Sequence, residues 1–148
     1  MPDTDSRPLL LSNARLVDPA SGREQKGGLL IEGGFIRDLG PGVVASGVSD
    51  ATHVHDCHGA VVAPGLVDMR VHAGEPGAEY RETLKTASEA AAAGGVTTIV
   101  VMPDTDPVID EAAIVDFVMR RARATASVRI HPAAALTKGL AGKEMTEI

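Results

Sequence analysis

The chain has 148 residues, 44% of them hydrophobic, which is the composition of an ordinary globular domain and excludes a disordered tail. Aromatic residues make up only 2%, with no Trp, and the net charge is −6, so the chain has neither a stacking platform for bases nor a basic stripe for a phosphate backbone. Nucleic acid is therefore not an expected partner.

The single Cys57 rules out an internal disulfide, and the opening "MPDTDSRP" has neither the positive nor the apolar region of a secretion signal, so a cytoplasmic location is expected. Apolar runs such as "GVTTIVVM" are far shorter than the ~20 residues of a membrane-spanning helix, and no membrane partner is expected.

In chain order, residues 1–63 read as one unit of short β segments punctuated by turns: "PLLLSNARLV" before "DPASG", then "GGLLIEGGFIRDLGPG", then "ATHVHDCHGAVVAPG". "EGG" at 32–34 predicts a hairpin turn in which Gly supplies the positive φ, and the unit is expected to be antiparallel. Glycine pairs at 27–28, 33–34 and 94–95 carry no phosphate-loop pattern and are assigned to turns and caps.

Residues 64–148 change to strand–helix alternation, which implies a parallel sheet with crossover helices. "GLVDMRVH" predicts a strand, "YRETLKTASEAAAAGG" an alanine-rich helix ended by Gly94–Gly95, and "VTTIVVM" a strand covered on both faces. Asp110 is a candidate cap for the next helix, whose buried stripe runs through Ile114, Val115, Val118, Met119 and Ala122, with Arg120, Arg121 and Arg123 on a solvated face. "SVRIHPAAALTKG" predicts a third strand and its exit loop, and "KEMTEI" the start of another helix.

In an extended strand alternate side chains share a face, so Asp68, Arg70 and His72 are expected to point one way and Val67, Met69 and Val71 the other. Two histidines at the spacing of positions 70 and 72 would grip one metal ion, but Arg70 holds one of those places.

Three stretches, "APGLVDMRVHAGEPGAEYRET", "AAAAGGVTTIVVMPDTDPV" and "HPAAALTKG", resemble the amidohydrolase superfamily, and within it dihydroorotase of the kind that occurs with aspartate transcarbamoylase. The resemblance implies an α/β fold: the N-terminal part of a metal-dependent (β/α)₈ TIM barrel, about three βα units, preceded by part of a small β-sandwich. It also implies zinc, a site at the C-terminal ends of the strands, and reversible cyclisation of carbamoyl aspartate to dihydroorotate in pyrimidine synthesis. Three strand–helix units cannot close an eight-stranded barrel, so the chain is either a small open domain or the front of a larger one; alone it is expected to be inactive.

The family places His-x-His on the first strand, then an Arg that holds the substrate carboxylate, and an Asn in the next strand's "MPNT". Here Arg70 stands for the first His, Gly74 for the Arg and Asp104 for the Asn, while His72 remains as the metal position. An Arg stays protonated and offers no lone pair. A unit charge ~4 Å from a divalent ion at an effective dielectric of ~20 costs roughly 8 kcal/mol. Losing the Arg removes a charge-assisted bond, and Asp104 would repel an anion.

The resemblance with these departures implies weak or absent zinc, no catalytic residue within the chain, and a pocket lined by Asp68, Arg70 and Glu75, with Arg70 pairing with Asp104 or Glu75 as one alternative. It implies a structural partner of aspartate transcarbamoylase, oligomeric at full length. The rival expectations are an active zinc-dependent dihydroorotase that takes a small-molecule substrate, and a weaker allantoinase or hydantoinase reading.

Two other candidates are set aside. Alternation splits "HVHDCH" at 53–58 as a metal cluster, and His131 is assigned to a hydrogen-bonded strand end.

Overall fold

The computed structural model describes residues 7–147, in two compact units that divide between Pro64 and Gly65. In the first, β1 (Leu9–Asp18), β2 (Arg23–Glu32) and β3 (Phe35–Gly40) form an antiparallel meander, and β4 (His53–Asp56) and β5 (Val61–Val62) both pair with β1. Gly33 and Gly34 make the expected β2–β3 turn with φ of 58° and 79°.

The sheet is mixed, not wholly antiparallel as expected, because β4 and β5 run parallel to β1. A tight hairpin reverses the chain, whereas the long connection after β3 brings it back in the original direction. Gly27 and Gly28 also differ from expectation, lying inside β2 and not in a turn. A Cβ on either would strike the passing backbone, at Gly40 O and Val43 O respectively. Leu10, Ala14, Leu16 and Val43 are buried in this unit.

The second unit is the strand–helix alternation itself. Strands β6 (Leu66–Val71), β7 (Val96–Val101) and β8 (Arg129–Pro132) form a parallel sheet in that order, with α1 (Leu84–Ala93) and α2 (Ala112–Thr125) as the crossovers. Helix α1 begins at Leu84 because Thr83 and Thr86 form a reciprocal capping box, and Gly94 caps its C-terminus.

The stripe read from the sequence packs α2 on the sheet. Val118 and Ala122 join Leu84, Ile99, Val101, Ile109 and Ile130 in one buried cluster, with Ile114 and Val115 partly buried against it. Burying Ser88 costs no unmet hydrogen bond, since its hydroxyl donates to Lys85 O at 2.7 Å and accepts from Ser127 N at 3.0 Å.

Several local expectations are corrected. Only the helix-facing residues Ile99 and Val101 of β7 are buried, so within these residues the strand is covered on one face. Asp110 does not cap α2, whose N-cap is Glu111; its carboxylate instead accepts from Gly139 N at 2.7 Å. Among the described residues of "KEMTEI" there is no helix: Met145 forms an antiparallel bridge with Thr137, closed by a Lys138–Glu144 ion pair. Two complete strand–helix units and a third strand are therefore present. No helix among the described residues is long and apolar enough to cross a membrane.

Candidate active site

The loops leaving β6 and β7 meet at the C-terminal edge of the parallel sheet and enclose a cavity of about 500 Å³. In open and closed parallel α/β sheets alike, this is the edge where ligands bind. The loops are stitched together by Asp106 N donating to Pro76 O at 3.1 Å and Met102 N to Val71 O at 2.9 Å. Thr105 shapes the second loop by donating its hydroxyl to Pro107 O at 2.7 Å. His72, Gly74, Arg81, Glu82, Asp104 and Asp106 are among the lining residues.

His72, Gly74 and Asp104, picked from strand ends far apart in sequence, thus share one pocket. His72 Nδ1 lies 3.0 and 2.8 Å from the two carboxylate oxygens of Asp104. An ionised carboxylate only accepts, so Nδ1 carries the proton and Nε2 is left for the cavity. Both side chains are about half exposed, at 55% and 51%.

Arg70 and Asp68 are absent from the lining. The premise of strict alternation fails there, because the β6–β7 register shifts between Asp68 and Val71 and Asp68 Oδ1 accepts from Arg70 N at 3.0 Å. Arg70 pairs with neither Asp104 nor Glu75, both of which take other partners.

Glu75 requires the largest correction. Expected at the pocket, it is only 3% exposed, and its carboxylate accepts from Arg121 Nε at 2.6 Å and from Leu84 N at 2.9 Å. It holds the first amide of α1 and a side chain of α2 at once. Arg121, still 46% exposed, is accordingly a tie between elements as well as part of the solvated face.

Sequence reasoning missed Arg81, Glu82 and Asp106 as lining residues. Asp106 had a signal, since it follows Asp104 by two residues in the same strand-end loop. Arg81 had none, because it faces the cavity only through the way its turn folds back. His131 sits in β8 opposite Val100, exposed, outside the lining, and without a ring hydrogen bond among the described residues. His53 and His55 are exposed on β4, while Asp56 accepts from His58 N and Asn13 Nδ2.

Among the described residues no three His, Cys, Asp or Glu groups converge and Arg70 offers no lone pair, whereas His72, with Nδ1–H donated to Asp104, keeps Nε2 able to bind a metal.

The family model described as "Dihydro-orotase-like" matches residues 59–148. The chain is 41% identical over 140 residues to a dihydroorotase of Pelobacter propionicus, covering 95% of this chain and 32% of that protein. It is 46% identical over 128 residues to a dihydroorotase of Anaplasma phagocytophilum, covering 85% of this chain and 29% of that one. Among solved structures, the L-hydantoinase (dihydropyrimidinase) from Arthrobacter aurescens superposes with a TM-score of 0.77 at 26% identity, over 88% of this chain and 28% of that chain. The chain thus spans about a third of the length of the curated relatives it matches. With the family model covering more than half of its residues and the strand–helix order of an amidohydrolase beneath them, the chain belongs to the dihydroorotase-like family.

Proposed function

We propose that the chain is the N-terminal portion of a dihydroorotase-type protein of pyrimidine biosynthesis, built on a zinc-type amidohydrolase barrel, in which ordinary catalysis is impaired. The observation that carries the impairment is the set of substitutions around His72: Arg70 stands at the companion position, Gly74 leaves the expected carboxylate anchor empty of side chain, and Asp104 puts a negative charge where the substrate anion would lie. A structural role beside aspartate transcarbamoylase, in the cytoplasm and within an oligomer, accounts for a kept scaffold around an altered pocket. The 148-residue chain by itself is inactive in this reading.

The competing reading is an active dihydroorotase whose remaining groups lie in other parts of the protein; relatives above 40% identity that are named dihydroorotases favour it. Dihydroorotate hydrolysis and zinc content measured on the full-length gene product separate the two. Turnover absent with zinc well below one equivalent supports impairment, and stoichiometric zinc with turnover overturns it. Sedimentation of the same protein with aspartate transcarbamoylase tests the scaffold role, which is lost if no mixed complex forms.

A further inference from the structure

The cavity poses a charge problem. Its lining holds three carboxylates, Glu82, Asp104 and Asp106, against one guanidinium, Arg81. Asp104 accepts a hydrogen bond from His72, which leaves its negative charge in place. Arg81 has no side-chain hydrogen bond or ion pair among the described residues, unlike Arg120 and Arg121, which are held by Asp116 and Glu75.

The backbone explains why this cation stands here. Ala78 N donates to Gly74 O at 2.6 Å and Arg81 N to Ala78 O at 2.9 Å, so the turn through 78–82 folds down onto Gly74. A Cβ at position 74 would meet Glu82 O at 2.7 Å and Ala78 O closer still, both rigid backbone atoms. The segment that excludes any side chain at 74 is therefore the one that carries Arg81 to the pocket.

We infer that anion recognition in this pocket has passed from position 74 to Arg81, which holds the single carboxylate of a small cyclic amide. The inference rests on the dihydroorotase-type reading of the site. A ligand with one carboxylate satisfies the guanidinium and adds one negative charge beside Glu82, Asp104 and Asp106, whereas an open-chain dicarboxylate adds two against the same single cation. The pocket therefore discriminates in favour of the ring over its hydrolysed form.

The test is calorimetric titration of the full-length protein with dihydroorotate and with 5,6-dihydrouracil, the same ring without the carboxylate. Wild type is expected to prefer dihydroorotate. Arg81→Gln should weaken dihydroorotate by roughly tenfold or more, leave dihydrouracil unchanged and keep the melting temperature, since the side chain is exposed and unpaired. Arg81→Lys should recover part of the loss.

Equal binding of dihydroorotate by wild type and Arg81→Gln, with the carboxylate preference intact, overturns the inference and leaves the reading of the pocket standing. Equal weakening of both rings assigns Arg81 a merely structural part and also overturns it. Failure of wild type to bind either ring removes both. Gly74→Arg supplies a second check: if it raises dihydroorotate affinity without lowering the melting temperature, the turn does not exclude position 74 and the inference falls.

Discussion

Within three residues of one another on the loop leaving β6, two acid–base pairs sit in opposite environments. Glu75 is almost wholly buried and binds Arg121 and the α1 amide. His72, half exposed, binds Asp104 across the cavity. The buried pair assembles the unit; the exposed pair only decides what the pocket presents. This difference explains how the site positions changed while the fold around them stayed. Solvent compensates an altered charge at 104, but nothing would compensate one at 75.

Breaking the buried pair is the strongest way to test that contrast. Arg121→Met leaves the Glu75 carboxylate in the protein with one amide, and loss of a partner from a buried pair costs about 3–5 kcal/mol. The lower end is expected because the Arg121 side chain is 46% exposed and water already reaches it. Chemical denaturation reads this directly, and a change below about 1 kcal/mol would place Glu75 among ordinary surface pairs. Next in size is Gly74→Ala. Its new Cβ meets backbone carbonyls of Ala78 and Glu82, and overpacking of this kind costs about 1–3 kcal/mol. Unchanged stability would show that the turn yields freely.

The same contrast marks what was legible in the sequence. An unbroken β-branched apolar run located β7, and hydrophobic periodicity the α2 stripe through Val118 and Ala122, because burial selects the residues that carry it. His72 and Asp104 were legible as pocket positions because strand ends in such a sheet converge. The fate of Glu75 was not legible. Its partner Arg121 lies 46 residues away on a helix whose own pattern reads as solvated, and no local rule pairs them. The absence of Arg70 from the lining was missed for a different reason: the register of β6 against β7 shifts between Asp68 and Val71, and such a shift leaves no mark in composition.

A smaller effect is expected at the exposed pair. Asp104→Ala should change stability by no more than about 1 kcal/mol, since both partners are half exposed. Its signature is instead in the imidazole: nitrogen NMR should find His72 protonated at Nδ1 in wild type and the Nε2-protonated form gaining in the variant. A tautomer that ignores the substitution would mean that the pair does not persist in solution.

Asp56 in the N-terminal unit is a carboxylate as exposed as Asp104, at 50%, but with directed donors from its own unit. The His58 amide at 2.8 Å, and then the Asn13 side chain at 3.1 Å, hold its pKa below the usual aspartate value. Because the folded state has the lower pKa, the stabilisation is fully present above the ordinary aspartate range and is lost as pH falls through the folded value. Carboxyl titration by NMR should place the midpoint of Asp56 below that of an unperturbed aspartate, and Asn13→Ala should raise it part of the way back. The stability difference between wild type and Asn13→Ala should then shrink on acidification through this range. A midpoint at or above the ordinary value would show that directed hydrogen bonds fail to outweigh solvation even here, and the exposed His72–Asp104 pair would then have to be judged by the same standard.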